Sequence, residues 1–313
     1  MQTAGIHHIS AIIGDPQENV DFYAGILGLR LVKKTVNFDD PGTYHLYFGD
    51  EAGSPGTIMT FFPWPSDFRG RIGDGQVGVT SYVVPEGALP FWIARLEKLA
   101  VPFIKVERFG EEYVQFDDPH GLQIELVARK EGENSKWAFG EVTSDVAIKG
   151  FGGATLYSSS PQQTADVLTN VMGLELVARE GDYVRYKAPA TIGNIIDLKI
   201  VPGRRGAMGP GTVHHIAWRA KNQTEHLQWQ EHVMNKGLHV TDVKDRHYFE
   251  AIYFREPGGI LFEIATDSPG FAMDEIPQVM GSQLMLPPQY EHMRAQLESN
   301  LPSIQVRVVK ANN

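Results

Sequence analysis

Apolar runs of strand length recur along this chain, separated by Gly- and Pro-rich turns, with amphipathic stretches standing between them in a fixed order. "GIHHISAII", from Gly5, and "TVHHIAWRA", from Thr212, each read as a short apolar strand interrupted by two adjacent histidines. "DPQENVDFYAGILGLRLV" (15–32) aligns without a gap with "SPQQTADVLTNVMGLELV" (160–177). Each has a capping residue (Asp15, Ser160) and Pro at the first helical position (Pro16, Pro161). Each then has an amphipathic run to Gly28 or Gly173 and a Leu-x-Leu-Val strand. A second pair aligns equally well: "FDDPHGLQIELV" (116–127) with "FREPGGILFEIA" (254–265). Both read as strand, tight Pro-x-Gly turn and returning strand with one acid, Glu125 or Glu263. Helix-like segments, "GALPFWIARLEKLAVPF" and "QTEHLQWQEHVMNKGLHV", precede them.

The pattern resolves into four modules beginning near Gly5, Gln76, Lys149 and Gly211, each a strand, a helix and three strands. The predicted fold is α+β: four βαβββ modules forming two curved mixed β-sheet clefts, because one module alone leaves a sheet face bare. The chain divides into an N-terminal domain, 1–145 (modules at about 5–75 and 76–130), and a C-terminal domain, 146–270 (about 149–205 and 211–270). An extension, 271–313, follows. Within it "LPPQYEHMRAQLESNLP" predicts one proline-fenced helix that caps a sheet or makes a subunit contact, so a homo-oligomer stays open. "VRVVKANN" reads as a frayed end.

Composition narrows the chemistry. Lys and Arg number 28 against 38 Asp and Glu, a formal charge of −10, which disfavours nucleic acid and anionic membrane as partners. The start "MQTAGIHHIS" has no basic segment followed by an apolar block, and no run approaches a membrane span, so a cytoplasmic protein is expected. There is no cysteine, so any metal must be held by histidine and carboxylate.

The repeats allow a stricter test than motif spotting. The first-strand position holds His8, no histidine, Gly153 and His215 in modules 1 to 4, and the last-strand position holds Thr60, Glu125, Asp197 and Glu263. Pairing modules 1 and 2 collects His8, Thr60 and Glu125. Pairing 3 and 4 collects Gly153, Asp197, His215 and Glu263. Only pairing 1 with 4 puts two histidines and one carboxylate in one cleft, the facial triad of non-haem Fe(II) oxygenases. Strand alternation lets only one histidine of each pair face the metal. Spacing to the following helix selects His8 and His215, which leaves His7 and His214 facing outward or standing behind the ligands.

These features resemble the vicinal-oxygen-chelate superfamily of glyoxalase I, antibiotic-resistance proteins and extradiol dioxygenases, and more closely its hydroquinone-type ring-cleaving dioxygenases. "YHLYFGDEAGSPGTIMTFFPWP", "TIGNIIDLKIVPGRRG", "HHIAWRA", "RHYFEAIYFREPGGILFE" and "PGFAMDE" carry the likeness, which spans 6–301. The resemblance implies Fe(II) held by His8, His215 and Glu263, and O2-dependent cleavage of a dihydroxylated aromatic substrate. It also implies polar groups around the metal at His7, Ser10, His214, Arg246 and Tyr253. His214 or Tyr253 would donate the proton that the ring-opening rearrangement needs, and Arg246 would stabilise developing negative charge.

A glyoxalase-type isomerase or lyase would need a fourth protein ligand where Thr60 stands, and a drug-sequestering protein would not need the triad at all. A catechol could chelate the metal through both oxygens, a hydroquinone through only one. Of the other histidines, His226 and His232 are expected to be solvated on a helix. Strand alternation allows His45 to point inward near the site, and His120 occupies a turn and needs no functional account. Among the aromatics, Phe61, Trp64, Phe68 and Trp218 are candidates for a flat-ring pocket, although most aromatics pack in cores.

Overall fold

The computed structural model describes residues 1–64 and 68–311. The first module contains β1 (Ile6–Ile13), α1 (Pro16–Val20), β2 (Arg30–Asn37), β3 (Asp40–Gly49) and β4 (Ile58–Pro63). The second contains β5 (Gln76–Val84), α2 (Leu89–Lys98), β6 (Phe103–Arg108), β7 (Glu111–Asp117) and β8 (Gln123–Ala128). The third contains β9 (Gly150–Tyr157), α3 (Pro161–Asp166), β10 (Glu175–Glu180), β11 (Tyr183–Lys187) and β12 (Ile195–Lys199). The fourth contains β13 (Thr212–Ala220), α4 (Gln223–Asn235), β14 (Lys244–Asp245), β15 (Phe249–Arg255) and β16 (Leu261–Pro269).

The strands form two eight-stranded sheets, ordered β14-β15-β16-β13-β1-β4-β3-β2 and β10-β11-β12-β9-β5-β8-β7-β6. Modules 1 and 4 therefore share one sheet and modules 2 and 3 the other. Each sheet takes one module from either half of the chain, joined through the antiparallel pairs β1–β13 and β5–β9. A large core of aliphatic and aromatic side chains, from Ile6 and Ile9 to Trp218 and Trp229, packs helices and sheets together. The first sheet curls until its ends face one another. Tyr47 on β3 lies 6.2 Å from Tyr248, which precedes β15, with Phe271 between them in a smaller core on the concave side.

The repeated helix signal has a matching outcome in both modules. Past Val20 and past Asp166 the helices widen, with i to i+5 hydrogen bonds such as Leu27 N–H to Phe22 and Met172 N–H to Val167. They end at Gly28 and Gly173, both with positive φ. Asp15 caps α1 by accepting from the Glu18 amide, whereas the Ser160 hydroxyl turns to the Gln163 side chain and does not cap α3.

The extension departs from the expected single helix. Residues 288–293 wind as a 3-10 turn leading into α5 (Arg294–Asn300), and two further short turns cover 271–273 and 277–279. It masks the β2 edge, where the Met285 amide donates to the Lys34 carbonyl and a Cβ on Gly281 would collide with the Leu31 carbonyl. Lys33, wholly buried, anchors it through Asp274 and Glu275, each 2.5 Å from Nζ. The end is not frayed over 305–307. Arg307 pairs with Asp21 at 2.7 Å, and Gln305 exchanges hydrogen bonds with Gln17. No helix among the described residues is long and apolar enough to cross a membrane.

Candidate metal centre

The β1–β13 pair is irregular at both His-His sites. Ile6 faces Trp218 and His8 faces Ala217, so His7 is an extra residue on β1. Ser10 faces His215 and Ala11 faces Val213, so His214 is the extra residue on β13. These two bulges correct the expectation from simple alternation, because a bulged residue does not keep the period of two. His7 and His214 swing beside their neighbours, with Nδ1–Nδ1 separations of 2.9 Å to His8 and 2.8 Å to His215.

Parallel pairing of β13 with β16 sets Ala217 opposite Glu263 and brings the third donor to the same place. Glu263 Oε2 lies 2.8 Å from His215 Nε2 and 3.4 Å from His8 Nε2, and the two Nε2 atoms are 3.3 Å apart. One ligand atom from each residue lies within 4.8 Å of the others, and all three residues are buried. This is the one such His/Asp/Glu cluster among the described residues. Both Glu263 oxygens are buried without a properly directed hydrogen bond. Burial alone would raise the Glu263 pKa, but His8 and His215 hold it well below the carboxylate range. Burial keeps His215 low as well. A carboxylate and two imidazoles converging at one point, with both carboxylate oxygens buried and lacking a hydrogen-bond partner, fit a divalent cation.

The donors behind the ligands are consistent with this. An imidazole bound to metal through Nε2 carries its proton on Nδ1 and donates it outward, here to His7 or His214. The two recipients then differ. His7 is 2 % exposed, is tied to the Thr266 backbone, and has its pKa held well down by burial and by His8. His214 lines the cavity, and no described residue bonds its Nε2. Burial, then His215, lowers its pKa to about 3.

A cavity of about 330 Å³ opens over the three donors. Phe249 packs on His8 at 5.0 Å and Phe62 on His214 at 5.4 Å, giving apolar walls, with Trp64 also lining the space. Arg246 donates to the Tyr253 hydroxyl at 3.1 Å and to Asp39 at 3.0 Å. Burial and the Glu263 charge push the Tyr253 pKa well up, so the phenol stays protonated with its own hydrogen free for a ligand. Ser10 lines the cavity and bonds Thr60 at 2.7 Å. The Thr60 hydroxyl is committed there and to His45 Nε2 at 2.9 Å, away from the three donors.

Other expectations change. His226 is fully buried on α4 and donates Nε2–H to the Ile264 carbonyl at 2.8 Å, and His232 reaches the Val171 carbonyl at 3.1 Å, so neither is a solvated surface group. His120 accepts the Asp15 amide at 3.1 Å and thereby ties the first helix to the second module. Phe61 and Trp218 are core residues, while Phe68 is 81 % exposed. Sequence reasoning passed over Tyr47, which bonds His45 at 3.0 Å. Its signal was the two-residue spacing to His45 on one strand face.

The second sheet repeats the register without the histidines. Gly153 and Val79 stand where His8 and His215 stand in the first, with Glu125 and Asp197 in the places of Glu263 and Thr60. Arg108 bridges the two acids, donating to Glu125 at 2.6 Å and Asp197 at 2.9 Å. Arg185 joins Asp197 to Glu111, and Arg129 also pairs with Glu111. Although burial opposes it, the Arg129 hydrogen bond draws the Glu111 pKa down to about 2. Guanidinium groups satisfy the acids there, so that cleft offers no free donor set for a cation.

Two curled sheets built from four repeated modules, with one metal-ready cleft, define a vicinal-oxygen-chelate protein. The sequence pattern of the glyoxalase/bleomycin resistance protein/dioxygenase superfamily matches residues 5–126 and 150–264, and the chain belongs to that family. Relatives that it matches over nearly their full length include proteins named as ring-cleaving dioxygenases. MhqO of Bacillus subtilis (strain 168) is 66 % identical over 98 % of both chains. The chlorohydroquinone/hydroquinone 1,2-dioxygenase of Sphingobium indicum is 36 % identical over 94 % of both. A crystal structure of a Bacillus subtilis dioxygenase superposes with a TM-score of 0.97 at 66 % identity, covering 98 % of this chain and 99 % of that one.

Proposed function

We propose that this protein is an Fe(II)-dependent, extradiol-type ring-cleaving dioxygenase that opens a hydroquinone with O2. The observation that carries the reading is the three-donor cluster of His8, His215 and Glu263, with the Thr60 hydroxyl engaged elsewhere. A fourth protein ligand would favour glyoxalase-type chemistry, whereas two histidines and one carboxylate leave adjacent positions open. Bound there, ferrous iron would bring a phenolic oxygen and O2 together and pass electron density between them. The named substrate of the Sphingobium relative supports a para-diol.

The chain's own residues supply the rest. Phe62 and Phe249 flank a flat ring and keep water from the reacting face. The free Tyr253 proton, polarised by Arg246, stabilises negative charge growing on a substrate oxygen. His214 is the group that moves a proton. Its Nδ1 faces His215 and its ring lines the cavity, so as ring opening proceeds its Nε2 proton can pass to the ring-derived oxygen while Nδ1 takes up the proton shared with His215. His7, locked to the backbone, only orients His8.

The test is anaerobic loading with Fe(II), followed by oxygen-electrode assays with hydroquinone and catechol side by side. Stoichiometric O2 uptake with hydroquinone is expected. Aromatic binding with no O2 consumption, or turnover that requires Zn or Ni, would overturn the reading.

A further inference from the structure

A line of four uncharged groups crosses the cavity wall: Tyr47 hydroxyl to His45 Nδ1 at 3.0 Å, His45 Nε2 to Thr60 hydroxyl at 2.9 Å, and Thr60 hydroxyl to Ser10 hydroxyl at 2.7 Å. Thr60 is wholly buried, while Tyr47, His45 and Ser10 line the cavity. Every member can both donate and accept one hydrogen bond. Burial, then the neighbouring His8, holds the His45 imidazole well below its usual range, so it is neutral and has one proton for two nitrogens. A chain of this kind has two self-consistent settings. In one, Tyr47 donates to His45, His45 to Thr60 and Thr60 to Ser10, so the Ser10 hydrogen points into the cavity. In the other every bond is reversed, and the Tyr47 hydrogen is the free one.

We infer that Tyr47, His45, Thr60 and Ser10 act as one switchable chain that takes the proton of the substrate hydroxyl not held by the metal and releases a proton at the metal end of the cavity. The inference rests on the dioxygenase reading and adds a pathway distinct from His214. The transfer balances. The substrate O–H breaks as Tyr47 gains a proton, and each member passes its former proton to the next. Ser10 then gives its own to an oxygen of the reacting substrate. No member is left charged, and the chain ends in its reversed setting, with His45 in the other tautomer. A para-diol held to the metal through one oxygen has such a second hydroxyl free. A catechol chelated through both has none. Thr60 and His45 do not touch the reacting atoms in this scheme and are positioning residues, whereas Tyr47 and Ser10 are the contact points.

Thr60→Val interrupts the chain at its buried centre and keeps the side-chain shape, and Thr60→Ser restores the hydroxyl. Both are compared with wild type after Fe(II) loading, with bound iron measured. With hydroquinone, Thr60→Val is expected to lose about 10²-fold in kcat, as removal of a proton-transfer partner does, at unchanged KM and iron content. The solvent-isotope proton inventory should turn from curved to linear, and Thr60→Ser should return both to near wild type. A second readout needs no activity: 15N spectra of His45 in the metal-free protein. Exchange between two tautomers is expected in wild type and a single tautomer in Thr60→Val. Equal kcat and equal proton inventories in wild type and Thr60→Val would overturn the chain and leave the dioxygenase reading intact. So would one fixed His45 tautomer that ignores the substitution. A wild-type protein that consumes no O2 with either diol would overturn both.

Discussion

Replacing His7 or His214 with alanine removes the same kind of contact from opposite sides of the metal site, yet the two changes should read out differently. The His7 variant leaves the Nδ1–H of His8 without its acceptor at 2.9 Å, in a place that is 2 % exposed and that water does not easily reach. A lost buried partner costs about 1–3 kcal/mol. At about 1.4 kcal/mol per tenfold, that corresponds to about 5–140-fold weaker metal binding, which brackets the about 10–100-fold found when such supporting partners are removed. His214→Ala breaks a matching 2.8 Å contact, but beside a cavity where water can take the empty space. Its metal affinity should fall by no more than about tenfold, while turnover at saturating iron falls by about 10²–10⁴-fold through loss of the proton donor. The assay is anaerobic Fe(II) titration against a competing chelator, with kcat measured on fully loaded protein. Wild-type iron affinity in His7→Ala would refute the orienting role. A turnover loss in His214→Ala that merely tracks its iron content would refute the donor role.

Other outcomes follow from the same structure. Glu263→Gln, which removes the one anionic donor, should cut retained iron to below about a tenth of wild type by metal analysis after gel filtration. Lys33→Met leaves Asp274 and Glu275 without their buried cation and should cost about 3 kcal/mol. That loss will appear as a lower Tm or as proteolytic cleavage within 271–311, and a variant that shows neither would overturn the anchoring role. Because burial lowers the His226 pKa, the folded chain takes up that proton at lower pH than the unfolded chain does. Stability from this group is therefore complete above about pH 6.5 and falls below it, by at most about 1.4 kcal/mol per pH unit. His226→Gln should flatten that slope in denaturant melts between pH 5 and 7.

The module plan was readable because duplication repeats caps, prolines and turn glycines at matching places. Those landmarks let His8, His215 and Glu263 be located by counting. The bulges were not readable, since one extra residue in a ladder leaves no compositional mark, and so the directions of His7 and His214 needed coordinates. His226 could have been placed better. It stands three and seven residues before Trp229 and Val233, the two other buried residues of α4, so the helix stripe that buries them includes it. The segment after α5 hid its docking because polar contacts to Gln17 and Asp21 hold it, not an apolar period.

The arginine-paired cleft has a consequence for how such a chain can change over time. Glu125 and Asp197 stand where the first sheet has Glu263 and Thr60, and each answers to a guanidinium, so neither can change alone without stranding a charge. One architecture thus appears twice, once with open donors and once with its charges paired off. The paired copy has the narrower choice of substitutions, because its balance of opposite charges must be altered in concert or left as it stands.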